Sequence, residues 1–350
     1  MKDQELIEMF NNVFAPKSGE KILFIFDKPH GDIKDTNSWK ARREMANKWY
    51  RIFKLISKEK GFSVDFLEYN ATGMHNKLIP STIIDAASKV NLVIAMTEFS
   101  ASSSLKTLRQ DKNINIRCAS MPGVEKRMEE TAFKANYEDV KIYANSIKKF
   151  LNKAIGAKVV FSTGDGLFLD LRNREASADG GDCSQSGQFI NFPSGEGYVV
   201  PYEGTSDEIE KFGSSKTEGI LPDNQHGDLI KYRVKNNTII EVIGDGEEPE
   251  KMRNFFDENE SRRNIAELGI GCNPKAIVTG NILEDEKVGG LHIAYGMSKH
   301  LGGKIVSDMH QDICFPKGVP AAATSLTLIN KDGSKINLID NSTLRYDLLK

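Results

Sequence analysis

Two histidines and three acidic residues in the C-terminal half of the chain carry the strongest chemical signal. The stretch Ser307-Asp308-Met309-His310-Gln311-Asp312 contains a His-x-Asp pair. In an extended segment the side-chain period of two puts His310 and Asp312 on one face. An imidazole beside a carboxylate is a natural ligand pair for a divalent cation. His292 sits in Gly289-Gly290-Leu291-His292-Ile293-Ala294-Tyr295-Gly296, where glycines let the backbone pack closely around an imidazole held between apolar neighbours. Glu196, in Asn191-Phe192-Pro193-Ser194-Gly195-Glu196, and Glu267, in Ala266-Glu267-Leu268-Gly269-Ile270-Gly271, are single acids in apolar or small surroundings. A carboxylate in such a setting is costly unless a cation or a hydrogen bond satisfies it. Each residue also has a plain structural reading. His292 would be a core histidine bonded to backbone, Glu267 an acid at the end of a preceding helix, and Leu283-Glu284-Asp285-Glu286-Lys287 a charged turn. Together, the five side chains supply the oxygen and nitrogen ligands of one open metal site, or of a two-metal site sharing a carboxylate.

The other histidines, His30, His75, His226 and His300, read as solvated or hydrogen-bonded side chains. Cys118, Cys183, Cys272 and Cys314 form no C-x-x-C pair. They therefore read as buried small hydrophobes rather than as disulfides or a cysteine zinc site.

The elements that must position these residues fall into two halves. The first alternates strand and helix signals. Lys21–Phe26, Ser63–Leu67, Asn91–Met96 and Asn115–Ala119 read as strands. Ser38–Lys60, Ile83–Lys89, Val124–Phe133 and Tyr137–Asn152 read as helices, the first with Met45, Trp49, Ile52, Phe53 and Ile56 on one stripe. This order predicts an open parallel sheet flanked by helices over residues 1–155, a Rossmann-like α/β domain. The segment after the first strand, Asp27-Lys28-Pro29-His30-Gly31-Asp32, lacks the glycine pattern of a dinucleotide site. Residues 156–350 change character and predict an antiparallel α+β domain carrying the metal site. Asn236-Asn237 and Asp332-Gly333 mark two hairpins, and Glu250–Ala266 reads as an amphipathic helix.

Composition fits a folded chain of about two domains. Of 350 residues, 39% are hydrophobic and 27% charged. With 47 Lys+Arg against 49 Asp+Glu the net charge is −2, so no excess of positive charge exists to neutralise phosphates, and nucleic acid is not expected as a partner. No apolar run approaches a membrane span, and a cytoplasmic location is expected.

At the residues singled out above, the sequence resembles the aminopeptidase T family, metallopeptidases with two-metal sites. The matching segments are Asn191–Glu196 through Pro201, Ala266–Gly271, Leu283–Gly296 and Ser307–Asp312, in the family's order, within roughly Gly164–Phe315. The resemblance implies Glu196, Glu267, His292, His310 and Asp312 as metal ligands. It implies two divalent ions (zinc, cobalt or manganese), Glu267 and Tyr295 in catalysis, and Asp285 and Glu286 binding the amino end of a small peptide substrate. A homodimer is also implied. Lys299 stands where the family carries a functional tyrosine, and Tyr295 is the nearby alternative. Ring-cleaving dioxygenases of the dihydroxypyridine type share the fold and use one iron(II), for which His292, His310 and Asp312 would form the two-His-one-carboxylate triad.

Overall fold

The computed structural model describes residues 1–111 and 113–350 and divides the chain into two compact units, each discontinuous in sequence. The first comprises residues 1–141, 179–194 and 274–284, and the second residues 142–178, 195–273 and 285–350.

The first unit is built on a five-stranded parallel sheet. Ser63–Asn70, Lys21–Lys28, Leu92–Ala95, Arg117–Ser120 and Phe189–Asn191 pair in that order. Four of these strands are the expected ones. The fifth comes from much later in the chain, and at three residues it is too short to show a period. Strand Lys21–Lys28 shows why the sheet is parallel and covered on both sides. Ile22, Phe24 and Phe26 enter one apolar cluster, while Leu23 and Ile25 enter another. The long helix Asn37–Lys60 starts where Thr36 Oγ1 accepts the Trp39 N–H, and it stops at Gly61, whose φ of 74° closes the last turn. Its buried stripe of Met45, Trp49, Ile52, Phe53 and Ile56 packs on the sheet. The helix expected over Val124–Phe133 is instead two 3-10 turns, Lys126–Glu130 and Ala132–Lys134. Helices Asp3–Val13 and Ser102–Gln110 were not foreseen.

At the carboxyl end of the central strands, where open α/β sheets commonly bind nucleotides, Asp27 is fully buried. Its carboxylate accepts the backbone N–H groups of Glu98 and Phe99 at 2.7 and 3.0 Å and the Trp39 indole N–H at 3.1 Å. Those donors are thus engaged by the protein's own side chain.

The second unit is two antiparallel sheets face to face. The larger has eight strands and contains both expected hairpins. Asp228–Lys235 pairs with Thr238–Ile243 across Asn236 and Asn237, whose φ angles are 51° and 65°. Ala323–Asn330 pairs with Lys335–Asp340 across Asp332-Gly333. In the smaller sheet His310–Cys314, Gly290–Gly296, Ile265–Gly271 and Glu196–Val199 pair in that order, each antiparallel to the next. One face of it sends Val199, Leu268, Ile270, Leu291, Ile293 and Ile313 into the core shared with the larger sheet. Each such side chain gains about 1.5–3 kcal/mol on leaving water. The helix expected over Glu250–Ala266 is shorter: Glu247–Asp257, then a 3-10 turn at Glu260–Arg263, then the Ile265–Gly271 strand. Among the described residues no helix is long and apolar enough to cross a membrane.

Candidate metal centre

The ladder of the smaller sheet decides which side chains meet. Gly269 lies opposite His292, Ala294 opposite Glu267 on one side and Asp312 on the other, and Gly296 opposite His310. Glu196 lies opposite Gly271. Because side chains alternate, Glu196, Glu267, His292, His310 and Asp312 all project from the face that does not pack into the core. Glu267 therefore lies within a strand, not at a helix end. The glycines of this face have a steric purpose. A Cβ on Gly269 would fall 1.9 Å from His292 Nε2, so the imidazole can cross its neighbour only because that residue is glycine. A Cβ on Gly271 would fall 2.5 Å from the Glu286 carbonyl oxygen, so the Glu286–Lys287 backbone can lie across the strand.

The polar groups form a chain of alternating charge. Lys287 Nζ lies 2.5 Å from Glu196 Oε1 and 2.7 Å from Glu286 Oε1. Glu196 Oε2 is 3.4 Å from His292 Nε2, which is 3.5 Å from Glu267 Oε1. The other oxygen, Glu267 Oε2, is 3.2 Å from His310 Nε2, which is 3.5 Å from Asp312 Oδ1. Glu196, Glu267 and His292 are buried, and His310, Asp312 and Glu286 are partly so. Donor atoms within 4.8 Å of one another form three groups among the described residues: Glu196/Glu267/His292, Glu267/His310/Asp312 and Glu286/His292/Asp312. Each holds a single imidazole, and the first two share Glu267.

Electrostatics follow from this crowding. Burial alone would depress the His292 pKa, but Glu267, Glu196 and Asp312 outweigh it and raise it to about 9. His310 is likewise raised, against burial, by Asp312 and Glu267. Burial pushes the Glu267 carboxyl up, but the two imidazoles outweigh it and hold the acid well below its usual range. Glu286 moves the other way, because burial and the repulsion of Glu196 and Asp312 exceed the pull of Lys287, and its pKa reaches about 8. The cluster thus holds protons on its imidazoles where a divalent cation would otherwise balance the carboxylates. The donor set, two imidazoles and three carboxylates, suits zinc, cobalt or manganese chemically. The His310 Nδ1 lies 2.7 Å from the Met297 carbonyl oxygen. A carbonyl only accepts, so a proton sits on Nδ1, and Nε2 is the atom that faces Glu267 and Asp312 and that a cation could use.

Other sequence-derived candidates do not join the cluster. Tyr295 alternates onto the opposite face of its strand and is buried against Phe256, Tyr232 and Phe255 at ring distances of 5.3, 6.2 and 6.5 Å. That placement turns its ring away from the five clustered side chains. Asp285 is the buried last residue of the short helix Ile282–Asp285, and its carboxylate belongs to none of the three donor groups. Three residues at the site escaped sequence reasoning. Lys287, read as part of a charged turn, is fully buried. Cys314 continues the alternation of His310 and Asp312, and its thiol pKa is raised by burial and by Asp312 and Glu286. The His300 ring lies edge-on to that of His310, centroids 4.8 Å apart. Only Cys314 carried a usable signal, the period of two.

No family model matches the chain, and no curated relative does. Solved structures do share its fold. One is the 2,5-dihydroxypyridine dioxygenase of Pseudomonas putida KT2440, with a TM-score of 0.71 and 16% identity, covering 98% of each chain. Another is wild-type AmpT of Thermus thermophilus, with a TM-score of 0.60 and 13% identity, again covering 98% of each chain. At these identities the likeness extends to the fold.

Proposed function

We propose that the protein is a metal-dependent aminopeptidase whose centre holds two divalent cations, one in each of the two donor groups that share Glu267. The observation that carries this reading is the split of Glu267, which turns one oxygen to His292 and the other to His310. A bridging carboxylate between two cations needs this geometry. Glu196 and His292 would complete one site, and His310 and Asp312 the other. Bound cations would polarise the scissile carbonyl and activate water at neutral pH. The chain's own residues do the rest. Glu267 fixes the spacing of the two sites, and the Met297 carbonyl orients His310. Glu286 is the acid placed near the donor atoms to receive the amino end of a small peptide. AmpT, an aminopeptidase T with the same fold, supports this reading at the level of fold.

The dioxygenase with the same fold supports the alternative, one iron(II) on His292, His310 and Asp312, equally at that level. The donor groups favour the first reading, because none of them places both imidazoles around one point. Two assays separate the readings: hydrolysis of leucyl and tyrosyl amides with added cobalt or zinc, and oxygen uptake on dihydroxypyridines with ferrous iron. The aminopeptidase reading predicts the first activity, its loss by at least a hundredfold in Glu267→Gln, and no oxygen uptake. Oxygen-dependent ring cleavage without amide hydrolysis would overturn it. A homodimer and a cytoplasmic location remain part of this proposal, the former checked by light scattering on the purified chain.

A further inference from the structure

The two donor groups that share Glu267 are not equivalent. Lys287 is fully buried, and its Nζ lies 2.5 Å from Glu196 Oε1 and 2.7 Å from Glu286 Oε1. A buried ammonium is tolerated only when it is paired, and here the Glu196 carboxylate and the Glu286 carboxyl group hold it. Its backbone is fixed as well: the Lys287 carbonyl accepts the Asn273 N–H at 2.9 Å, and the segment crosses over Gly271. Glu196 is therefore divided, with Oε1 given to Lys287 and Oε2 turned to His292 at 3.4 Å. The group on the other side differs. Asp312 Oδ1 and Glu267 Oε2 both face His310, whose Nδ1 is anchored on the Met297 carbonyl. His292 Nδ1, by contrast, is buried and has no hydrogen-bond partner among the described residues.

We propose that Lys287 is a resident counter-cation that makes the Glu196/Glu267/His292 group the weaker of the two cation sites, so that the centre fills in order, the His310 group first. This deepens the two-cation reading and rests on it. An ammonium in contact with a ligand carboxylate takes up part of its negative field, and in a water-poor site it repels a dication bound to the same group. The ion pairs of the His310 group, Glu267 with His310 and His310 with Asp312, include no ammonium among the described residues, and its imidazole is already oriented, which lowers the cost of binding there. The consequence is a graded enzyme. One cation is resident, and the other is exchangeable, so activity follows the free divalent cation concentration. Lys287 acts through Glu196 and is a positioning residue.

The test is titration of the metal-free, full-length protein with cobalt(II) alone, followed by calorimetry and by the visible absorption of the bound ion. The wild type should bind in two steps at least tenfold apart in affinity. Lys287→Met should tighten the weaker step at least tenfold and leave the stronger within twofold, while Lys287→Arg keeps the wild-type pattern. Lys287→Gln, which removes the positive charge but keeps a polar side chain beside Glu196 and Glu286, should likewise tighten the weaker step several-fold. Two equal sites in the wild type, or an unchanged gap in Lys287→Met, would overturn the proposal while leaving the two-cation reading intact. One cation per chain in the wild type and in every variant would overturn both. If Lys287→Met does not unfold cooperatively, Lys287→Gln decides: a tightened weaker step supports the proposal, and an unchanged or weakened one overturns it.

Discussion

His292 and His310 hold their protons because acids surround them, and that sets how the centre responds to pH. His292 is raised to about 9 in the folded chain, against about 6.5 in an unfolded one. Its protonated form therefore contributes stability that is fully present below about pH 6.5 and is lost as pH rises through 9. Glu286, raised to about 8, changes stability in the same direction over its own range. The metal-free protein should accordingly lose thermal stability between pH 6.5 and 9. Cation affinity should rise over that interval, because each ligating imidazole must first give up its proton. Calorimetry in two buffers of different ionisation enthalpy reads the released protons directly, and binding without proton release below pH 8 would contradict the assignment. The glycine beneath His292 gives a second prediction. Gly269→Ala should displace the imidazole and weaken cation binding at least a hundredfold, while costing about 1–3 kcal/mol of stability as an overpacked site. A variant that binds as the wild type does would show that His292 needs no such clearance. At this scale the sequence was informative about which acids and imidazoles converge and silent about the lysine beside them. The pairing of His310 with Asp312 follows from alternation alone. Lys287 stands in a run of four charged residues, and no pattern there distinguishes a buried ammonium from a solvated one.

The strands of the smaller sheet do two jobs, one on each face. Leu268, Ile270, Leu291 and Ile293 hold the sheet to the core, and their alternation fixes Glu267 and His292 on the other side. A slip of one residue in this ladder would exchange the two faces. Ile293→Ala, fully buried, should destabilise by about 2–5 kcal/mol in denaturant titration, while a folded sample keeps its cation stoichiometry. The turn at Asn237 is a separate support. At a φ of 65° this residue also donates its side-chain N–H groups to Asn264 Oδ1 and the Ile265 carbonyl, next to the Glu267 strand. Asn237→Ala should cost about 1–3 kcal/mol for the orphaned polar groups, and a smaller loss would mean that the turn is not what braces that strand. Both hairpins were legible because asparagine and glycine at positive φ mark them. The Ile265–Gly271 strand was legible only as an apolar run. Its upstream neighbours extend a helical pattern as far as Ala266, and the 3-10 turn at Glu260–Arg263 that breaks it has no proline or glycine to announce it.

Across the whole molecule, the division into a parallel α/β part and an antiparallel part was readable from the alternation of strand and helix signals. The discontinuity of the two units was not, because the crossing segments, residues 179–194 and 274–284, are short and carry little regular structure. The first unit buries Asp27 against the Glu98 and Phe99 N–H groups, and the candidate metal cluster lies in the second. There the central claim is that Glu267 stands between two cations. Crystals grown with excess zinc, measured on both sides of the zinc absorption edge, test it most directly. The account predicts two anomalous peaks, one beside His292 and one beside His310, with a Glu267 oxygen on each. A single peak coordinated by both imidazoles and Asp312, with Glu267 bound to no cation, would contradict it.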